Sequence, residues 1–226
     1  MSNIQIFCAS LGCDKNLVDT EKMLGLLEQE GYRFTDDESQ ADVILVNTCC
    51  FIGDAKEESV NTILEMARFK ETGSARALIV TGCLAQRYQK EILEEIPEVD
   101  AVLGTTSWEE IVPVVKELLE EKKETHVTCF HSLDELSGTG KPRILTTGGH
   151  YAYLKIAEGC DKRCTYCIIP YLRGPYRSVP MEDLVREAEE LARQGVKELI
   201  LVAQETTLYG VDLYGKKSLP QLLERL

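Results

Sequence analysis

The chain has 226 residues, 44% hydrophobic and 28% charged, enough for one large folded unit or one and a half with a real core. Lys and Arg number 25 against 38 Asp and Glu, a net charge of −13, and so acidic a chain is a poor general binder of nucleic acid. No apolar run is long enough to span a membrane, and Met1 to Cys8 has no basic segment that would mark a secretory leader, so a cytoplasmic location is expected.

Ile4 to Ala9 is a short apolar run that predicts a first strand. Ser10 to Asn16 is a turn containing Gly12 and Cys13, and Leu17, Val18, Met23, Leu24, Leu26 and Leu27 follow with helical spacing up to Gly31. Asp42 to Asn47 is a continuous apolar strand of the kind buried on both faces of a parallel sheet, and Thr48-Cys49-Cys50 ends it. A helix over about 54–70, a strand over Ala77 to Thr81 ending in Gly82-Cys83, and a helix over about 86–95 come next. Val99 to Leu103 predicts a fourth strand, and a helix over about 108–122 closes the set. Residues 125–149 lose the periodicity and read as a linker. Tyr151 to Ala157 starts a new set as a strand. Pro180, Glu182 and Asp183 open a helix that stops at Gly195, Lys197 to Ala203 is the next strand, and Ser218 and Pro220 open a last helix. This second set is a β/α barrel begun and not finished, so the chain is expected to be a fragment.

The nine cysteines, in a chain without a secretory signal, read as metal ligands or buried thiols rather than disulfides. Cys160, Cys164 and Cys167 follow the first strand of the second set at CxxxCxxC spacing. Three thiols that close can wrap one metal centre and leave one corner open for a substrate or cofactor, whereas a structural zinc site is normally closed by four ligands. A zinc knuckle borrowing a fourth ligand from the Cys129/His131 region is the alternative. Cys13, Cys49 and Cys83 each fall just past a strand of the first set. Strands of a parallel sheet end on one edge, where ligands bind, so the fold is expected to bring these thiols together as a second three-ligand site. The alternative is three unrelated buried thiols. Adjacent side chains in extended backbone point opposite ways, so only one of Cys49 and Cys50 faces that edge, and Cys49 is the expected one. Cys8 reads as a core thiol, and Cys129, in a polar, strand-like run with His126 and His131, as structural or incidental. The window 151–180 carries Lys155, Lys162, Arg163, Arg173 and Arg177 against Glu158 and Asp161, either solvated surface or a basic rim around an anionic cofactor or acidic partner.

The stretches 10–19, 47–52, 81–87 and 155–170 together resemble the radical S-adenosylmethionine (radical SAM) methylthiotransferases over nearly the whole chain. Gly-Cys-Asp-Lys-Asn at 12–16 and the doubled Cys49-Cys50 look like the branch that acts on ribosomal protein uS12. The sister branch, which acts on tRNA isopentenyladenosine, usually carries a single Cys in the second motif. The resemblance implies an α/β methylthiotransferase domain over 1–124, the start of a radical SAM barrel over 150–226, and a remainder of barrel and a TRAM domain that lie outside this sequence. It implies 4Fe–4S clusters on Cys160/Cys164/Cys167 and on Cys13/Cys49/Cys83, with SAM as cofactor. The first would reduce SAM to a 5′-deoxyadenosyl radical that takes a hydrogen from the β-carbon of a uS12 aspartate; the second would carry the sulfur. Tyr166, Gln204 and Glu205 are candidate SAM contacts, although Asp is expected at position 205 in this branch. Implied partners are uS12 and an electron donor such as a flavodoxin or ferredoxin, with no membrane and no direct nucleic-acid binding by this stretch. A colourless zinc-binding interaction module is the reading from another class. The fragment by itself is expected to be inactive.

Overall fold

The computed structural model describes residues 4–120 and 126–226. The elements run β1 (Gln5–Ser10), α1 (Asp14–Gln29), β2 (Arg33–Phe34), β3 (Val43–Thr48), α2 (Gly53–Ala67), α3 (Phe69–Thr72), β4 (Ala77–Gly82), α4 (Cys83–Arg87), α5 (Gln89–Glu95), β5 (Ala101–Leu103), α6 (Ile111–Glu120) and β6 (Val127–Cys129). The second set is β7 (Tyr151–Lys155), β8 (Ala157–Glu158), α7 (Ile169–Arg173), β9 (Arg177–Ser178), α8 (Met181–Arg193), β10 (Glu198–Val202), α9 (Val211–Tyr214) and α10 (Leu219–Arg225).

The first set builds a six-stranded sheet in the order β2-β1-β3-β4-β5-β6, parallel throughout. Strand side chains alternate in direction. On one face Val43, Leu45, Ala77 and Ile79 pack with Met23 and Leu27 of α1 and Val114 and Val115 of α6. On the other, Ile44, Val46, Leu78 and Val80 pack with Ile63 and Met66 of α2, Leu84 of α4 and Ile92 of α5. Helices on both faces explain why β3 and β4 read as unbroken apolar runs: every residue in both is buried.

The first sheet has two strands beyond the four expected, the second of them in the strand-like run around Cys129. β2, two residues long, adds an outer edge to β1. β6 pairs with β5 from within the segment read as a linker, so the sheet reaches at least to Cys129. The expected boundary at 124/125 and the end of the helix expected over 108–122 lie outside the described residues. The rest of that segment is a strap across α1: Lys22 donates to the carbonyl of Gly138 at 2.9 Å, the amide of Ile144 donates to that of Glu21 at 3.0 Å, and Arg143 pairs with Glu21 at 2.5 Å.

In the second set β7 and β10 pair in parallel, Tyr151 opposite Glu198, with α8 as the crossover, while β8 and β9 form a short antiparallel pair. Leu154, Ile156, Leu184, Tyr209 and Leu222 form a core of their own. This is the first part of a β/α barrel, as the sequence predicts. No helix among the described residues is long and apolar enough to cross a membrane.

Gly82 sits at the hinge between β4 and α4 with φ +91, where a Cβ would stand 2.5 Å from the Thr48 carbonyl oxygen and against Asn47 Oδ1. Gly82→Ala is expected to cost about 1–3 kcal/mol for the left-handed backbone alone, with the contact adding to it. Urea unfolding of the two proteins measures the difference.

Candidate functional site

Three turns carry the first cysteine group. The order β2-β1-β3 means that the chain leaves β1 to one side and returns to its other side as β3. A doubly wound sheet opens a crevice at that reversal, beyond the C-terminal ends of the two strands. Cys13 follows β1, Cys49 follows β3, and Cys83 opens α4 after the neighbouring β4. All three line one cavity of about 950 Å³, with Cys13 exposed and the other two buried. That volume lies within the range of small-molecule and cofactor sites.

Polar side chains fix the turns. Asn16 donates to the carbonyls of Leu11 at 3.0 Å and Thr48 at 2.9 Å, tying the Cys13 turn to the Cys49 turn. Asn47 donates to the carbonyl of Asn16 and to Thr20 Oγ1, each at 2.9 Å. The Cys49 amide donates to Ser59 Oγ at 2.9 Å, and the Ser59 hydroxyl returns a bond to the Cys49 carbonyl at 2.8 Å. Gly12, at φ +93, leaves room for Cys49: a Cβ there would lie 2.6 Å from the Cys49 Cβ and 3.0 Å from its sulfur. Cys50 turns away from the cavity into the core and donates its thiol to the Cys83 carbonyl at 3.2 Å, and burial pushes that thiol up to about 12. Burial likewise pushes Cys8 up to about 12. Cys129 lies on β6, 3.7 Å from His131 Nε2.

The second unit supplies the opposite wall through Ile169, Leu172, Arg173 and Gln204. Arg173, at the end of α7, is buried. Its Nε donates to Cys83 Sγ at 3.4 Å, its Nη1 to Asp19 at 2.9 Å and to Glu158 at 3.1 Å, and its Nη2 to Asn16 Oδ1. Lys155 completes the group, bonded to Asp19 and, at 3.0 Å, to Glu158. Two cations and two carboxylates thus neutralise each other where water is excluded. Burial by itself would raise the Glu158 carboxyl, but the Arg173 guanidinium and the Lys155 ammonium outweigh it and hold that carboxyl well below the usual range. Burial also pushes the Cys83 thiol up, and the Arg173 guanidinium pulls it part of the way back.

The window expected to be solvated surface or a basic rim is therefore divided. Lys155, Arg173 and Arg177 are buried, and only Lys162 and Arg163 face solvent. Sequence reading missed Arg173, Lys155, Glu158, Asp19 and Asn16 as a group. In α1 the polar residues Asn16, Asp19, Thr20, Glu21 and Lys22 are all buried, which the sequence pattern does not reveal.

The CxxxCxxC loop leaves β8 and is closed at its base by the Cys160 amide donating to the Gly174 carbonyl at 3.1 Å. Inside it the Cys167 amide donates to the Cys164 carbonyl at 2.9 Å. Cys160 and Cys167 are half-buried and Cys164 is exposed, and none of them lines the cavity. Tyr166 is 87% exposed. Glu205 pairs with Lys162 of the loop and caps the following turn at the Thr207 amide, 3.1 Å away. Gln204 donates to Glu158 at 2.6 Å, while its Oε1 is buried beside the cavity without a partner. Among the described residues no group of three or more His, Cys, Asp or Glu side chains is arranged round a single metal ion.

The donor set fits a thiolate-bound iron–sulfur cluster: thiols from three separate turns, a glycine that clears Cys49, and an N–H directed at Cys83. Comparison with known proteins agrees in class. Residues 5–104 match the model of Uncharacterized protein family UPF0004, and residues 154–224 match that of the Radical SAM superfamily. The chain therefore carries the two regions that these models describe, in that order, and its curated relatives are methylthiotransferases by name. It is 64% identical over 223 residues to the ribosomal protein uS12 methylthiotransferase RimO of Lachnoclostridium phytofermentans, covering 99% of this chain and 50% of that protein. It is 56% identical over 223 residues to the RimO of Pelotomaculum thermopropionicum, with the same coverage, and 53% identical over 226 residues to that of a Thermoanaerobacter species, covering 100% and 50%. The chain spans about half the length of these curated relatives.

Asp19→Asn strips one carboxylate from the buried group and leaves Arg173 and Lys155 sharing Glu158. A loss of about 3–5 kcal/mol in unfolding free energy is expected, the usual result of breaking a buried ion pair from one side. Chemical denaturation followed by far-UV circular dichroism measures it.

Proposed function

We propose that this chain is part of an enzyme that adds a methylthio group to the β-carbon of an aspartate of ribosomal protein uS12. Relatives named as ribosomal protein uS12 methylthiotransferases support uS12 as the substrate protein. The observation that carries the reading is the pairing of two three-cysteine groups. One lines the crevice of the parallel sheet; the other forms a loop two residues before the helix whose end reaches into that crevice.

Cys160, Cys164 and Cys167 hold one 4Fe–4S cluster, and Cys13, Cys49 and Cys83 hold a second. Each set leaves one iron without a protein ligand. When bound, the loop cluster and SAM supply the radical chemistry needed to break an unactivated C–H bond. The chain's own side chains bind and orient. Gln204 Oε1 would offer its buried, unpartnered acceptor to SAM, Glu205 holds the loop through Lys162, and the exposed Tyr166 would be free to contact the cofactor. Electrons come from a flavodoxin- or ferredoxin-type donor. The net charge of −13 suits a basic ribosomal protein as direct substrate, with no membrane and no direct nucleic-acid contact, in the cytoplasm.

After anaerobic reconstitution the chain is expected to carry about eight irons and no zinc, falling to about four in the Cys160/Cys164/Cys167→Ala variant. About four irons falling to none would leave the crevice without a cluster, and zinc in place of iron would remove the radical chemistry. In a turnover assay with uS12 this chain alone is expected to give no methylthiolated product.

A further inference from the structure

Arg173 belongs to the radical SAM part of the chain, yet one of its donors ends on a cysteine of the other unit: Nε lies 3.4 Å from Cys83 Sγ. The side chain is buried, and four of its contacts fix its plane: Asp19, Glu158, Asn16 and the sulfur itself. A guanidinium so clamped cannot swing away when the sulfur changes partner. With Arg173 included, its group is electrically balanced, since Lys155 and Arg173 face Asp19 and Glu158. Any negative charge gained at Cys83 therefore meets a directed N–H and a fixed cation in a poorly hydrated place.

We propose that Arg173 is a positioning residue that sets the reduction potential of an iron–sulfur cluster on Cys13, Cys49 and Cys83. The proposal rests on the cluster reading of those cysteines. Hydrogen bonds to the ligating sulfur and nearby positive charge both favour the reduced, more negative cluster and so raise its potential. Because Arg173 ends the helix that begins two residues after Cys167, the electronic state of the crevice site is tied to the backbone of the CxxxCxxC loop.

The test uses the full chain with Cys160, Cys164 and Cys167 changed to Ala, so that the crevice thiols alone hold iron. Into this parent go Arg173→Lys, which keeps the charge but removes the Nε donor, and Arg173→Gln with Asp19→Asn, which removes one cation and one anion together. Iron content, far-UV circular dichroism and a potentiometric titration followed by electron paramagnetic resonance are read on each. Both variants are expected to fold and to keep about four irons, as their parent does. Reduction is expected to become at least tenfold less favourable, about 59 mV for a one-electron step. A folded, iron-loaded variant with an unmoved potential overturns the proposal. Iron lost from both variants with the fold intact also overturns it, because Arg173 would then only hold the site together. A parent without iron fails the cluster reading and Arg173 with it, whereas a loaded parent with unmoved variants fails Arg173 alone.

Discussion

Arg173, Lys155, Asp19 and Glu158 are all buried, and no one of them could be so without the others. An isolated ion costs several kcal/mol to bring out of water, and only close, hydrogen-bonded pairing returns that cost. The four charges come from three places in the chain: α1, the β7–β8 strand region and α7. Their pairing therefore demands that the two units meet in one arrangement. A hydrophobic interface of equal area would tolerate sliding; two carboxylates clamped by a guanidinium and an ammonium do not. A second set, Lys22 and Arg143 with Glu21 and Glu187, repeats the constraint further along α1.

The effect on α1 is direct. A helix on the outside of a parallel sheet normally buries one stripe. This one buries Met23 and Leu27 against the sheet and also Asn16, Asp19, Glu21 and Lys22. It is the wall shared by the two units. Its N-terminal turn carries Cys13, so whatever fixes α1 also fixes the first of the three crevice thiols.

The two cysteine groups differ in how they are made. The crevice group depends on topology: three turns distant in sequence meet because parallel strands all end on one edge and because the strand order reverses between β2 and β3. The loop group depends on spacing within eight residues and needs no sheet to bring it together, and only Cys164 of the three is exposed.

By itself the sequence determined the α/β class, the place of each long strand and helix, and the close spacing of Cys160, Cys164 and Cys167, because hydrophobic period and spacing are local properties. It also separated Cys49 from Cys50, since alternation along extended backbone needs only two neighbouring residues. β2 was not legible, because two residues carry no period, and the strand-like run around Cys129 joins the sheet only through the β5 edge it pairs with. The meeting of Lys155 and Arg173 with Asp19 was decided by tertiary structure alone. A lysine in a strand reads as solvated wherever it stands in a sequence. It is buried only where a carboxylate from a residue more than a hundred positions away removes the cost of its charge.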